Sequence, residues 1–194
     1  MNAIPSRLVQ RFPGGNVGVD LPFRYFGKFN AGHFGGLYDL AVVTKQKITY
    51  SMIEELSKHK NIKGIKTGDI VLARQIKNNY PEFEVLFSNI DVFDVAVSYG
   101  IDKVLDGMFS ATPVNGRGFR EGVISKNISK CREHLDNIVG LRDVYIKHGV
   151  LGAFTASMNA LGMDGIFYED YRMPVSKIGK DEVIDFMKKI GEIV

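Results

Sequence analysis

The chain has 194 residues, of which 45% are hydrophobic and 24% charged, and its formal net charge is +3. This composition is typical of a globular domain with a core and excludes a disordered chain. No stretch reaches the roughly 18 uncharged apolar residues of a membrane helix, and Lys and Arg are interspersed with acidic residues. We therefore expect a soluble cytoplasmic protein that binds neither a membrane nor nucleic acid.

Cysteine and histidine give no sign of a metal site. The single cysteine, Cys131, lies in an amphipathic helical pattern, which favours a packed core thiol over a nucleophile. The four histidines are scattered without the spacing of zinc ligands. We expect no bound metal.

Residues 1–33 differ from the rest of the chain. They are rich in Gly, Pro, Phe and Arg and show no sustained strand or helix period. We expect an irregular N-terminal segment with a short helix near Ser6 to Phe12, followed by a single domain over residues 34–194.

Strands and helices alternate from residue 34 to about residue 112. The predicted elements are a strand over His33–Tyr38, a helix around Ile48–Leu56 capped by Thr49 or Ser51, a strand over Asn61–Lys66, a helix from the Asp69 cap through Tyr80, a strand over Phe83–Phe87, a helix over Val92–Tyr99 and a strand over Lys103–Met108. This alternation predicts βα units and a parallel sheet. The fold expected is α/β, a partial TIM-type barrel of about four parallel strands.

The chain then becomes helical. Apolar residues at helical spacing run from Ile124 to Tyr145, and we expect a break near Gly140. Further helices are predicted over Val150–Leu161 and Asp181–Ile193. Gly116-Arg117-Gly118 lacks a phosphate-loop ending and is interpreted as a turn.

Lys66 is the first candidate for chemistry because it ends a short apolar strand. In a parallel barrel the carboxyl ends of the strands form the active-site face. A partly desolvated pocket there disfavours the charged ammonium form of the lysine. The neutral amine can then form an imine with a ketone. A strand-end lysine that reaches solvent explains the same local pattern, and Lys63 in the same strand is not distinguished from Lys66 by any local feature.

Tyr38 ends the preceding strand. A phenol near an imine lysine can move a proton, although a core or rim tyrosine is the simpler interpretation of Tyr38 alone. Ser88 to Asp91 and Phe109 to Thr112 follow the next two strands, and their hydroxyl and backbone N–H groups are suited to a carboxylate. Ordinary polar loops explain them equally, and Asp91 can serve as a helix cap.

The order and spacing of these segments resemble the dihydrodipicolinate synthase / N-acetylneuraminate lyase family. Asn61-Ile62-Lys63-Gly64-Ile65-Lys66 resembles the segment that bears the family's imine lysine, 28 residues after the tyrosine at Tyr38. The later segments that resemble the family are Phe83 to Asp91, Asp106 to Ser110 and Tyr171 to Pro174. The resemblance begins near residue 34 and reaches the C-terminus.

The resemblance implies a class I aldolase-type lyase that acts on pyruvate or another 2-oxo acid together with an aldehyde. Lys66 would form the Schiff base and Tyr38 would relay the proton. The implied substrate-binding residues are Thr44, Asp91, Met108, Phe109 and Ser110. No cofactor is expected, since the lysine itself supplies the electron sink.

Departures from the family leave a second function open. Asp39-Leu40-Ala41-Val42 lacks the usual proline, and Val43 stands where the lysine-pathway synthases carry an arginine. The strands that correspond to the first half of the family's barrel, with their paired threonines, are missing, and Tyr25 is an alternative phenol without a supporting motif. The alternative is therefore a truncated, inactive relative that acts as a binding or assembly subunit. For either function we expect a homo-oligomer, because a half-barrel exposes an apolar face and strand edges.

Overall fold

The computed structural model of the chain describes residues 9–12, 16–19, 35–165 and 173–194. The chain divides into two compact units. The first comprises Met1–Asn89 with Ala96–Leu105, and the second comprises Ile90–Val95 with Asp106–Val194. Within the described ranges, no helix is both long enough and apolar enough to span a bilayer.

Strands are concentrated in the first unit and helices in the second. The described strands are β1 (Val9–Phe12), β2 (Asn16–Val19), β3 (Gly35–Tyr38), β4 (Ile62–Thr67) and β5 (Glu84–Phe87). The described helices are α1 (Ala41–Thr44), α2 (Tyr50–Leu56), α3 (Ile70–Asn79), α4 (Phe93–Ser98), α5 (Met108–Ala111), α6 (Pro113–Ile124), α7 (Ile128–His148), α8 (Val150–Ala160) and α9 (Lys177–Lys189), with a 3-10 turn at Ile90–Val92.

The N-terminal region contains a β-hairpin. β1 and β2 pair antiparallel, with Val9 opposite Val19 and Phe12 opposite Asn16. The short helix predicted near Ser6 to Phe12 is therefore wrong over Val9–Phe12. Glycine and proline favour chain reversals and disfavour helices, and the sequence Pro13-Gly14-Gly15 that follows Phe12 contains both.

The central sheet is parallel and confirms the predicted α/β fold. Its strand order is β3-β4-β5, with Tyr38 opposite Lys66 and Lys66 opposite Leu86. A fourth strand position is represented by a single parallel bridge between Phe87 and Val104. The carboxyl ends of β3, β4 and β5 therefore lie along one edge of the sheet.

The strand predicted over Lys103–Met108 is wrong beyond Val104. A carboxylate oxygen of Asp106 accepts a hydrogen bond from the backbone N–H of Met108 at 2.9 Å, and α5 begins there. Asp and Asn side chains favour this kind of local turn because they satisfy a free N–H group two residues later. Phe109 and Ser110 therefore lie in a helical turn.

The predicted caps form in the first unit. The Thr49 hydroxyl accepts a hydrogen bond from Met52 N–H, and the Asp69 carboxylate accepts from Val71 N–H and Leu72 N–H. Each cap satisfies backbone donors that a helix start leaves free. Behind the sheet, α2 and α3 bury their apolar residues, so both helices are fixed by caps and by core packing. The fully or almost fully buried residues are Ile53, Leu56, Leu72, Ala73 and Ile76.

Gly64 lies where β4 and β5 approach closely. A Cβ atom at this position would lie 2.5 Å from the backbone oxygen of Glu84, and backbone cannot rotate away. We expect Gly64→Ala to lower the free energy of unfolding by about 1–3 kcal/mol through overpacking. Urea unfolding of Gly64→Ala beside Gly107→Ala measures the effect, since a Cβ at Gly107 would meet nothing closer than Phe154 at 3.6 Å. Equal losses in the two variants would contradict the interpretation.

The helix boundaries in the second unit differ from the prediction. α7 runs without a break through Gly140, where the missing side chain makes room for the ring of Phe186. The break instead lies between α6 and α7, where the Asn127 side chain caps α7 by accepting from Lys130 N–H. Ile124 and Ile128 flank this break and are largely exposed. Glycine at position 140 reflects helix packing, not a helix end.

The turn expected at Gly116-Arg117-Gly118 is wrong, because these residues lie inside α6. A Cβ atom at Gly118 would collide with the His134 ring, so this glycine serves helix packing and not a turn.

The predicted helices over Val150–Leu161 and Asp181–Ile193 are present with shifted ends. α8 ends one residue before the predicted end, and α9 begins at Lys177, four residues before the predicted start, because Ser176 accepts from Gly179 N–H as its cap. Cys131 is buried in α7, as predicted, and burial raises the pKa of its thiol, with a smaller contribution from the charge of Asp94.

Glu192 joins the C-terminal end of the chain to the start of α6. Its carboxylate, which is 7% exposed, accepts hydrogen bonds from the backbone N–H groups of Val114 and Asn115 at 2.9 and 2.8 Å. It also accepts from the Asn115 side-chain amide at 2.7 Å, and the Asn115 oxygen bonds His134 and Asn137. A single buried carboxylate thus satisfies the first free donors of α6.

We expect Glu192→Ala to lower the free energy of unfolding by about 3 kcal/mol, because it removes the acceptor of two backbone N–H groups and one of the two acceptors of the Asn115 amide, which keeps only its bond to the Ile190 carbonyl. Urea unfolding followed by circular dichroism measures the loss. Glu133→Ala, at an exposed position on α7, is the control and is expected to change stability by about 0.5 kcal/mol or less. Similar losses for both variants would contradict the role of Glu192.

Candidate active site

Tyr38 and Lys66 meet at the carboxyl ends of β3 and β4. They are opposite each other in the parallel register, and Lys66 Nζ donates a hydrogen bond to Tyr38 Oη at 2.8 Å. The same Nζ lies 4.1 Å from the centre of the Tyr38 ring, a distance suited to a cation–π contact. The structure therefore joins the amine and the phenol that the sequence analysis singled out.

The structure also separates Lys66 from Lys63. Side chains alternate across a strand, so residues three positions apart point to opposite faces. Lys63 is exposed, whereas Lys66 is half-buried between the buried residues Ile65 and Thr67. Position in the strand alone did not reveal this difference, because it depends on which face of the sheet is covered.

The next residue along each strand forms a second bond between β3 and β4. Thr67 Oγ1 donates to Asp39 Oδ2 at 2.9 Å, and Thr67 is completely buried. The backbone N–H of Asp39 donates to the Lys66 carbonyl at 2.9 Å. Three hydrogen bonds thus link the ends of β3 and β4. Tyr38 and Lys66 form one on one face of the sheet, Asp39 and Thr67 form another on the opposite face, and the backbone forms the third. Neither Asp39 nor Thr67 was predicted to belong to the site, although both directly follow the candidate catalytic residues.

An open cleft of about 460 Å³ borders the strand ends. Its lining includes Asp39, Leu40, Val42, Lys47, Asp69 and Ser88. Lys47 forms an ion pair with the carboxylate of Asp69. Burial raises the pKa of Asp69, but the hydrogen bonds from Lys47 and from the backbone of Leu72 and Val71 outweigh it, so the pKa lies below its ordinary value of 3.8.

The lowered pKa of Asp69 predicts an acid-dependent loss of stability. A carboxylate whose folded-state pKa lies below its unfolded-state pKa stabilises the fold at pH values above the unfolded-state pKa, which for Asp69 is the ordinary value of 3.8. This contribution is lost as the pH falls through the lower folded-state pKa. We expect Asp69→Ala to cost about 1 kcal/mol at pH 7 through loss of the cap. Asp69→Asn keeps a cap and is expected to show a smaller loss of stability between pH 5 and about pH 2.

Urea unfolding of the wild type and of Asp69→Asn across this pH range tests the prediction. The same pH dependence in both proteins would contradict a stabilising role for the Asp69 charge.

Thr44, a predicted substrate-binding residue, ends α1 in the first unit. Its hydroxyl donates to the carbonyl of Gln46 at 2.7 Å and lies 3.2 Å from the Gln46 N–H. Its predicted role in binding stays a prediction.

Asp91, predicted either to contact substrate or to cap a helix, lies in the 3-10 turn of the second unit. Its Oδ2 accepts a hydrogen bond from Arg142 Nη1 on α7 at 2.6 Å. This bond with Asp91 raises the pKa of the Arg142 guanidinium, against the effect of burial. Arg142 was not predicted, because an arginine in a long helix looks like any surface cation in the sequence.

Met108, Phe109 and Ser110 lie in α5 of the second unit. The N–H of Met108 already donates to Asp106, and its carbonyl accepts from the buried hydroxyl of Thr112 at 2.7 Å. The ring of Phe109 packs edge-on against Phe93, at 5.9 Å between ring centres. Ser110 is exposed. The predicted carboxylate contacts of these residues stay predictions.

Tyr25, and Tyr171 and Arg172 of the segment Tyr171 to Pro174 that resembles the family, lie outside the described residues. Among the described histidine, cysteine, aspartate and glutamate side chains, no group of three or more is arranged to hold a metal ion.

The fold and the strand-end pair define a class of protein. Parallel strands connected by helices, with polar and ionisable side chains at the strand carboxyl ends, are the arrangement in which α/β proteins place their active sites. At that edge Lys66 Nζ and Tyr38 Oη are in hydrogen-bond contact, which places an amine beside a phenol.

The chain belongs to the dihydrodipicolinate synthetase family, whose model matches residues 36–193. This match confirms the resemblance inferred from the sequence. A search of curated proteins found no match to the chain.

Solved structures of family members share the fold. N-acetylneuraminate lyase from Fusobacterium nucleatum superposes with a TM-score of 0.72 at 15% identity, over 81% of this chain and 55% of that one. Dihydrodipicolinate synthase from Thermotoga maritima gives 0.68 at 19% identity, over 80% of this chain and 55% of that one. YagE from E. coli, a prophage protein solved in complex with pyruvate, gives 0.68 at 15%, with coverage of 80% and 55%. The chain therefore spans about 55% of the length of the structures it matches.

Proposed function

We propose that this protein is a Schiff-base-forming lyase of the class I aldolase type, and that Lys66 condenses with pyruvate or another 2-oxo acid. The observation that carries the proposal is the 2.8 Å hydrogen bond between Lys66 Nζ and Tyr38 Oη at the ends of two parallel strands. Membership of the dihydrodipicolinate synthetase family and the pyruvate bound to YagE support the choice of a 2-oxo acid.

The proposed reaction begins with the neutral amine of Lys66, which attacks the keto carbon of the 2-oxo acid. The resulting carbinolamine loses water and becomes an imine. The protonated imine draws electrons from the neighbouring carbon, and loss of a proton from that carbon gives an enamine. The enamine carbon then bonds to the carbonyl carbon of an aldehyde, whose oxygen takes up a proton, and water hydrolyses the resulting imine to release the product and restore Lys66. The reverse sequence cleaves the carbon–carbon bond. The lysine is the electron sink, and the proposal needs no cofactor.

The position of the Tyr38 hydroxyl supports a role in proton transfer. Its hydroxyl oxygen accepts a hydrogen bond from the amine, so it lies next to the nitrogen that must lose and gain protons during imine formation. The half-buried position of Lys66 limits the water around this nitrogen. We propose that Tyr38 relays protons between the amine and the substrate oxygen.

Borohydride trapping tests the proposed function. The protein is incubated with pyruvate, reduced with borohydride, digested and mapped by mass spectrometry, with lactate, which has no keto group, in place of pyruvate as the control. We expect a reduced pyruvate adduct on the peptide that contains Lys66. Absence of an adduct from protein shown to be folded by circular dichroism would overturn the proposal.

A binding or assembly role without catalysis is the second candidate. The Asp91 carboxylate and the Met108 N–H, both predicted to contact substrate, are engaged by Arg142 and Asp106. In that case, calorimetry is expected to detect binding of pyruvate or of a partner subunit to protein that forms no adduct.

A further inference from the structure

We infer that Asp39 and Thr67 are positioning residues that hold Lys66 against Tyr38. This inference rests on the proposed function, in which the Lys66 amine reacts, and it explains how that amine is held in position. Asp39 directly follows Tyr38, and Thr67 directly follows Lys66. The Asp39–Thr67 contact therefore joins the same two strands as the Tyr38–Lys66 contact, one residue further along.

The Asp39–Thr67 pair ties together more than the two strands. Asp39 Oδ2 accepts from Thr67 Oγ1 at 2.9 Å, while Asp39 Oδ1 accepts from the N–H of Ile48 at 3.2 Å. Thr67 Oγ1 in turn accepts from the N–H of Asp69 at 3.0 Å. One carboxylate and one hydroxyl therefore connect the ends of β3 and β4 to the segments that lead into α2 and α3.

Burial makes this connection rigid. Thr67 is completely buried, and its carbonyl accepts from the N–H of Ser88 at 3.0 Å, which extends the link to the end of β5. A buried hydroxyl without its partner is costly, so the side chain keeps one orientation. Because Lys66 lies between Ile65 and Thr67 on the same short strand, a fixed Thr67 backbone fixes where the lysine side chain leaves the sheet.

The contact between Lys66 and Tyr38 needs such support. The lysine side chain has four rotatable bonds, and a single neutral hydrogen bond is worth too little to hold it. Small displacements of a reacting group cost large factors in rate. The hydrogen bonds of Asp39 and Thr67 on one face of the sheet therefore hold the position of Lys66 and Tyr38 on the other face.

Competitive amine labelling tests the inference without relying on catalysis. A small acylating reagent at low dose labels the folded full-length protein, and mass spectrometry gives the labelling ratio of Lys66 to Lys63, an exposed lysine of the same strand. In Thr67→Val, which keeps the shape but loses the hydroxyl, we expect this ratio to rise about fivefold, the factor of one net hydrogen bond. Thr67→Ser restores the hydroxyl and is expected to return the ratio to that of the wild type.

Two further variants complete the test. Asn at position 39 has one acceptor oxygen and cannot accept from both Thr67 and Ile48, so Asp39→Asn is expected to raise the labelling ratio of Lys66 to Lys63. This variant replaces Thr67→Val in the test if Thr67→Val fails to fold. Thr155→Val removes a hydroxyl that bonds the Leu151 carbonyl within α8, and it is expected to leave the ratio unchanged. An unchanged ratio in the folded Thr67 and Asp39 variants would overturn the inference.

Pyruvate trapping on the same proteins separates the two proposals. If the wild type forms an adduct, Thr67→Val is expected to slow adduct formation at saturating pyruvate about tenfold, with little change in the half-saturating concentration. If the wild type forms no adduct but the labelling ratio responds, the proposed function fails and the positioning role stands.

Discussion

Replacement of Lys66 by arginine is expected to abolish the borohydride-trapped pyruvate adduct. Arginine keeps the positive charge and much of the length of lysine, but its guanidinium stays protonated and cannot attack a ketone. The fold is expected to persist, because the side chain is half-buried beside the Tyr38 ring and a planar cation can stack there. Mass spectrometry of the reduced, digested protein measures the loss.

Lys63→Arg is the matched control for this experiment. The same substitution in the same strand, three residues earlier on an exposed position, is expected to leave the adduct at wild-type yield. An adduct that survives in Lys66→Arg, or that disappears in Lys63→Arg, would assign the imine to another lysine. The pair of variants therefore tests the side chain and not the strand.

Much of the first unit was predictable from local sequence. Thr49 and Asp69 stand directly before amphipathic helical patterns, and both serve as the predicted caps. Short apolar runs predicted β4 and β5 to within one residue at each end. Caps and short strands depend on residues that are neighbours in the sequence, so the local sequence pattern is sufficient to predict them.

The errors arose where distant residues decide the structure. Gly140 continues α7 because Phe186, 46 positions later in the chain, occupies the space that a side chain would take. The strand predicted up to Met108 stops near Val104 because the Asp106 carboxylate starts a turn. In both cases the local pattern permitted two outcomes, and a packing contact or one hydrogen bond selected between them.

The candidate site shows the same division. Tyr38 and Lys66 were singled out as candidate residues by their spacing and by the family resemblance. The family model that matches residues 36–193 confirms the resemblance. The 2.8 Å contact and the Asp39–Thr67 bond depend on the register of two strands that are 28 residues apart, which only the folded sheet defines. A register shifted by one residue would place Lys66 opposite Asp39 on the other face.

Tyr38→Phe is expected to slow proton transfer while leaving the imine lysine in place. The substitution removes the hydroxyl that accepts from Lys66 Nζ but keeps the ring on which the amine rests. General acid–base catalysis contributes roughly 10²–10⁴-fold, so we expect exchange of the pyruvate methyl protons with deuterated water to slow by about 10²–10³-fold. Proton NMR of pyruvate follows this exchange, which reports enamine formation and needs no aldehyde.

Tyr50→Phe provides the control for the loss of a phenol. Tyr50 lies at the start of α2, where its ring packs near Tyr80 at 6.2 Å between ring centres, and it belongs to the same unit as Tyr38. Its replacement is expected to leave the exchange rate within about twofold of the wild type, as is usual for a group outside the site. If Tyr38→Phe exchanged the methyl protons as fast as Tyr50→Phe, Lys66 would use water or another side chain as its proton relay. The phenol would then contribute only the packing of its ring.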